Sequence, residues 1–266
     1  MYVLDTGDGE PIVFIPGLGA DHTMYAPQIE ALTEFRRLAV DLRGTGASPS
    51  LDGVPTEHVL TTQVEDLATM LKERGIERPH LVGISYGGVV VEAFLLRHPG
   101  VAASAIICDS LCDTRPRTVL ERIQMAGAKA QPFLLKALPM SWNRASVRLV
   151  YRKRWPLAAE VMARSFSADR LDDIVKQRRV VNAVHFETAL ANVRTPVLCL
   201  VGDHSSLAVG MMRRVHDALT GSEFTVIEGS FDPSSLCRPG AFTQHVREWV
   251  GRHSSHLPRG RGDGDA

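Results

Sequence analysis

The chain has 266 residues, of which 44% are apolar and 23% charged, enough apolar material for one large folded domain and too much for a disordered chain. Thirty basic residues balance thirty acidic ones, so no net field draws the molecule toward nucleic acid or an anionic membrane, and neither is expected as a partner. No apolar run approaches the ~18 residues of a membrane span, and Met1 leads through Tyr2-Val3-Leu4 to the turn-forming Gly7-Asp8-Gly9 without a secretion-signal pattern.

Short apolar runs alternate with helical patterns, which predicts an α/β fold: a mostly parallel sheet covered by helices on both faces. The first strand is Ile12-Val13-Phe14-Ile15, ending at Pro16-Gly17, and the second is Leu38-Ala39-Val40-Asp41 before Arg43-Gly44-Thr45-Gly46. Val64, Leu67, Ala68 and Leu71 recur at helical spacing, predicting a helix from Thr61 to Arg74 that stops at Gly75. His80-Leu81-Val82 is a third strand, followed by a sharp turn and a helix over Tyr86 to Arg97. Ala105 to Cys108, Val197 to Val201 and Phe224 to Ile227 complete six predicted strands. A last helix, Pro239 to Arg252, turns Phe242, Val246, Trp249 and Val250 inward.

Residues 1–110 and 195–253 therefore read as the core. Residues 111–194 contain helical stretches and no clear strand, and they are too long for a plain crossover, so they are expected to form a helical cap over the sheet's carboxyl edge. Residues 254–266 are polar and glycine-rich and read as a flexible tail. Its Arg261-Gly262-Asp263 is a chance match to an adhesion tripeptide. Cys108, Cys112, Cys199 and Cys237 form no CxxC pair or Cys/His cluster. Reduced thiols and a cytoplasmic location are the expectation, with no metal and no cofactor.

Gly83-Ile84-Ser85-Tyr86-Gly87 matches G-x-S-x-G between a strand and a helix. In that context the serine sits on a strained turn above the sheet, and the helix N-terminus beneath it offers N–H donors to a developing oxyanion. With Pro16-Gly17-Leu18-Gly19, Asp41-Leu42-Arg43-Gly44-Thr45-Gly46-Ala47-Ser48, Thr195-Pro196-Val197-Leu198 and Arg238-Pro239-Gly240-Ala241-Phe242 in the expected order, the chain resembles the α/β-hydrolase superfamily along nearly its whole length. The resemblance implies an oxyanion hole from the backbone N–H groups of Leu18 and Tyr86, and a cap that shapes the substrate pocket. Pro16 stands where that family usually has histidine.

The family's triad is Ser, an acid and a His. Counting back from Arg238-Pro239, the histidine position falls on Asp232, and the usual acid position falls on Ser205. A serine hydroxyl needs a neighbouring base, and a carboxylate near pKa 4 is a weak one unless burial raises it. His204 is the candidate substitute, and His22, after the oxyanion loop, a candidate substrate contact. Asp109 and Asp113 occupy a place where some relatives carry their acid, although a strand-end residue is the blander account of Asp109. His98 and His185 read as structural. Arg144, Arg148, Arg152, Lys153 and Arg154 lie in a cap stretch without an acid. This is a solvated helix face, or else a contact for an anionic substrate or an acyl-carrier partner.

The expectation is an enzyme acting on a carbonyl-bearing small molecule, with Ser85 and the oxyanion hole serving non-hydrolytic chemistry: elimination, cyclisation, rearrangement or an aldol-type step, with Asp232 or His204 moving the proton. Two alternatives stand beside it. One is a serine esterase, lactonase or thioesterase with a relocated histidine base. The other is a ligand-binding pseudoenzyme.

Overall fold

The structure, a computed structural model, describes residues 1–165 and 167–254. Its strands are β1 (Tyr2–Thr6), β2 (Pro11–Ile15), β3 (Arg36–Asp41), β4 (His80–Ile84), β5 (Ser104–Cys108), β6 (Val197–Gly202) and β7 (Glu223–Ile227). They form one sheet in the order β1-β3-β2-β4-β5-β6-β7. Strands β2 to β7 pair in parallel, and β1 runs antiparallel to β3 with Tyr2 opposite Asp41.

Every residue of β4, β5 and β6 is buried, which is why the sequence shows these strands as continuous apolar runs rather than alternations. Strand β1 is a correction to the six-strand reading. It is a half-buried edge strand with Tyr2 and Asp5 exposed, so it carries neither a continuous apolar run nor a clean alternation.

The helices are α1 (Ala26–Ala31), α2 (Val59–Glu73), α3 (Tyr86–Arg97), α4 (Val119–Ala137), α5 (Met140–Tyr151), α6 (Pro156–Ser165), α7 (Leu171–Val181), α8 (Glu187–Leu190), α9 (Ser206–Ala218), α10 (Ser234–Cys237) and α11 (Pro239–His253). One core layer joins the sheet to α2, α3 and α9 through Val64, Leu67, Val90, Phe94, Met212 and Val215. The opposite layer joins it to α11 through Phe242, Val246, Trp249 and Val250. Helices α4 to α8 lie between β5 and β6. The tail reading falls on residues 255–266, outside the described residues. No helix among the described residues is long and apolar enough to cross a membrane. All four cysteines are unpaired and buried.

Among the buried polar residues Glu92 is an unusual one. It sits in α3, fully buried, and neither carboxyl oxygen has a hydrogen-bond partner among the described residues. Burial pushes its pKa well above the ordinary carboxylate range. A carboxyl raised in the folded state costs nothing below about pH 4.5, where both states hold the proton, and costs progressively more as pH rises. Glu92→Leu is therefore expected to stabilise the protein by about 1–3 kcal/mol at pH 8 and by little at pH 4. Thermal melts at the two pH values check this, and equal gains at both would contradict the account.

Candidate active site

The carboxyl ends of the parallel strands carry the reactive side chains, as expected for an open α/β sheet. Ser85 follows β4 directly, at φ 54° and ψ −117°. Only a sharp turn places it there, and two glycines permit that turn. A Cβ on Gly83 would run into the carbonyl of Gly87, and one on Gly87 into the carbonyl of Ile15. Among the described residues the only other non-glycine residue with positive φ is Asp109, at 49°, immediately after β5. Such strain persists only where surrounding structure enforces it, and it clusters at functional sites.

Asp109 is held by four contacts. Its N–H donates to Leu200 O at 3.0 Å and its peptide follows Cys108, whose carbonyl accepts from Ser85 N at 2.8 Å. Its Oδ1 accepts from Gly202 N at 2.9 Å and its Oδ2 from Ser234 N at 2.8 Å. The carboxyl thus ties the ends of β5 and β6 to the loop that carries Asp232 at the β7 side. Asp232 lines the same cavity as Ser85, whose hydroxyl acts on its carboxyl as a donor and opposes the rise in its pKa. Tyr151 of α5 closes over this loop, donating its hydroxyl to Asp232 O at 2.6 Å, and Trp155 Nε1 donates to Gly229 O at 3.1 Å.

The two half-buried carboxyl groups influence each other electrostatically. Burial pushes Asp232 up to about 8, helped by the nearby Asp109 charge and opposed by the Ser85 hydrogen bond and by Arg178. Burial also raises Asp109, against the pull of its backbone donors. Both oxygens of Asp109 already accept an N–H, which favours its anion, while Asp232 is pushed up to about 8, well above an ordinary carboxylate and so a stronger base.

Ser85, Asp109 and Asp232 open into a cavity of about 550 Å³. Leu18 and Tyr86 line it beside Ser85. Tyr86 opens α3, so its N–H belongs to the unpaired first turn of that helix. The Leu18 loop is anchored on both sides: Gly17 N donates to Met24 Sδ at 3.4 Å and Gly19 N to Gln177 Oε1 at 3.2 Å. Helices α4, α5 and α7 add Met125, Ala128, Val147, Val150 and Arg178 to its lining.

No histidine lines this cavity among the described residues. His204 is an exposed residue on the rim. Its Nδ1 lies 3.2 Å from Arg154 Nη1, and its ring packs edge-on against Trp155 and Phe231. Phe231 lines the cavity and His204 does not. The structure thus brings Ser85 and Asp232 together and leaves His204 outside.

His22 is also placed elsewhere. Its backbone N–H and ring Nδ1 both reach Asp41 Oδ1, at 2.7 and 2.8 Å, and Asp41 Oδ2 accepts from Ala47 N at 2.8 Å. The pair fixes the glycine-rich loop after β3. Asp21 brings a third ligand-type atom within 4.8 Å of this pair, but its Oδ1 caps Thr23 N at 2.9 Å.

Ser205 lines the cavity and caps α9 through Ala208 N at 3.2 Å. Asp113 is held well below the usual carboxylate range by its hydrogen bonds to Arg115, despite opposing burial, and His185 also reaches it. Arg148, Arg152 and Lys153 of the basic stretch are exposed.

The comparisons agree with this architecture. Residues 12–254 match the Alpha/beta hydrolase family. A protein of Rhizobium rhizogenes named "Putative carbamate hydrolase RutD" is 27% identical over 261 residues, covering 93% of this chain and 95% of its own. An esterase from Exiguobacterium antarcticum superposes with a TM-score of 0.82 at 21% identity, covering 94% of this chain and 95% of that one. The enol-lactonase of Burkholderia xenovorans gives 0.76 at 21% identity, covering 94% and 96%. Strand order, serine elbow and full-length match together make this chain a member of the alpha/beta hydrolase family.

Proposed function

We propose that the protein hydrolyses a small acyl compound (an ester, lactone, thioester or carbamate) through a Ser85 acyl-enzyme, with Asp232 in the place usually held by histidine. The observation that carries this reading is the placement in one cavity of the Ser85 hydroxyl and a carboxyl that burial pushes up to about 8, with the hydroxyl acting on it as a donor. An ordinary carboxylate is too weak to take a serine proton efficiently. A buried one near 8 lies in the range that general-base catalysis favours.

In the first step Ser85 Oγ attacks the substrate carbonyl while ionised Asp232 takes its proton. The carbonyl oxygen becomes an oxyanion facing the N–H groups of Leu18 and Tyr86. Neutral Asp232 then protonates the leaving group, and the acyl group remains on Ser85. In the second step water gives its proton to Asp232, attacks the acyl carbonyl and releases the acid, and Asp232 returns the proton to Ser85 Oγ. Asp109, whose two oxygens each accept a backbone N–H that favours its anion, pushes Asp232 toward its protonated form, as a triad acid favours a protonated histidine. Carbamates enter the substrate range because a full-length relative carries that name.

A second reading keeps the same groups without hydrolysis: elimination, cyclisation, rearrangement or an aldol-type step. The absence of histidine from the cavity among the described residues favours it, because a protonated Asp232 can donate to an enolate while Ser85 serves only as a hydrogen-bond donor.

The two readings separate on covalency. A fluorophosphonate probe is expected to label Ser85 stoichiometrically, faster at pH 9 than at pH 6, with no labelling in Ser85→Ala. Intact-mass spectrometry reads the adduct. Absence of an adduct at both pH values, with carbonyl turnover on a compound panel intact, removes the hydrolytic reading in favour of the second. Absence of both adduct and turnover removes both.

A further inference from the structure

Within the cavity the charged residues are Asp109, Asp232 and Arg178. The two acids are accounted for by Ser85 and by each other's surroundings. Arg178 is not. It projects from α7, in the cap, and its Nε is buried without a hydrogen-bond partner among the described residues. Burial depresses its pKa below the ordinary guanidinium value, opposed by the Asp232 charge. Burial in turn pushes Asp232 toward its neutral form, which weakens that opposition. Neighbouring Arg179 is exposed, as the polar face of a cap helix should be. A desolvated guanidinium with an unused N–H is costly unless a ligand completes it.

The same helix face continues this polar wall. Asn182, four residues on at the α7 C-cap, also lines the cavity. Its Nδ2 donates to Ala128 O at 2.9 Å, which fixes the amide, and its Oδ1 is buried without a donor. The remaining cap wall is apolar or carries neutral Gln, Ser and Thr side chains. One turn of α7 therefore faces Ser85 across the cavity with a charged donor and a neutral acceptor, both unsatisfied.

We propose that Arg178 is the subsite for a carboxylate on the substrate, so that the compound turned over carries an ionised carboxyl at one end and the reacting carbonyl at the other. This rests on the reading of Ser85 as the reacting centre and adds the substrate class. A planar guanidinium matches a carboxylate through paired N–H donors and gains from a water-poor cavity. Lysine provides the charge without that geometry. The carboxylate also adds negative charge to the cavity, which Arg178 offsets.

The test has a binding arm and a turnover arm. In the binding arm, succinate is titrated against the wild-type protein and Arg178→Met by calorimetry, with dimethyl succinate as the neutral control. Succinate is expected to bind the wild type at millimolar concentration or better and to lose at least tenfold in Arg178→Met, with partial recovery in Arg178→Lys. The neutral diester is expected to show no such difference.

In the turnover arm, 4-nitrophenyl hemisuccinate is compared with 4-nitrophenyl butyrate. The kcat/KM ratio favouring the acid is expected to fall on the order of 10- to 100-fold in Arg178→Met, with the change chiefly in KM. Circular dichroism and the melting temperature establish that each variant is folded, and Arg178→Lys serves if Arg178→Met is not. Equal succinate binding by wild type and a folded Arg178 variant overturns the proposal even if both esters are hydrolysed. Charge-selective binding without ester turnover sustains it and counts against the hydrolytic reading alone.

Discussion

Asp232→Asn is expected to lower kcat/KM by on the order of 10⁴-fold or more while leaving the fold intact, because asparagine keeps the shape and cannot take the Ser85 proton. In the wild type the rate should rise tenfold per pH unit and level off near pH 8, following the ionised fraction of Asp232. A histidine base would level off about a unit lower. Stability should move the opposite way to activity. Asp232 is raised from 3.8 to about 8, so whatever it contributes is complete below about pH 4 and is lost as pH rises through about 8. Asparagine does not ionise and escapes that loss. The variant should therefore melt higher than the wild type at pH 9 and alike at pH 4. Steady-state kinetics across pH 5.5–9.5 and paired melts provide the measurement. A variant that retains activity, or a wild-type profile flat across pH 8, would remove Asp232 from the proton path. Asp232→His gives the converse experiment: imidazole beside Asp109 should shift the plateau toward pH 7.

The parts of this site that could be read from the sequence are those that depend on neighbours along the chain. The elbow is local: Gly83, Ser85 and Gly87 must be those residue types because the turn brings the β4 and α3 backbones against each other and against Ile15. Asp232 could be placed by counting because only Pro233 and the short α10 separate it from Arg238-Pro239, the start of α11. His204 and His22 show the limit of that approach. Both lie within a few residues of the rim, but a loop residue can face either side, and packing against Trp155 and Asp41 turned them away.

Arg178 was illegible for a related reason. It sits in the run Lys176-Gln177-Arg178-Arg179, where adjacent positions on a helix point about 100° apart. Only the docking of α7 distinguishes a half-buried Arg178, its Nε enclosed, from an exposed Arg179. Strand β1 escaped notice because edge strands bury too little to impose a pattern.

Asp109 gives the sharpest case of a role that tertiary structure creates. Its sequence neighbourhood suits a strand end, and it is one. The role proposed for it depends on Gly202 and Ser234, 93 and 125 residues away, whose N–H groups fix both of its oxygens.

Asp109→Asn removes the charge that helps to raise Asp232 and presents an amide NH₂ to one of two backbone donors, leaving that donor unsatisfied. Two consequences should appear together. The plateau of the pH–rate profile should move to lower pH, since the Coulomb push on Asp232 is gone, and the maximal rate should fall by about 10²- to 10³-fold, since the base is weaker and its loop is less well held. The unsatisfied donor should cost about 1–3 kcal/mol of stability at neutral pH. A merely structural Asp109 would produce the stability loss without moving the profile. A profile that stays near pH 8 while the melting temperature falls would assign Asp109 to the fold alone and leave Asp232 raised by burial without its help.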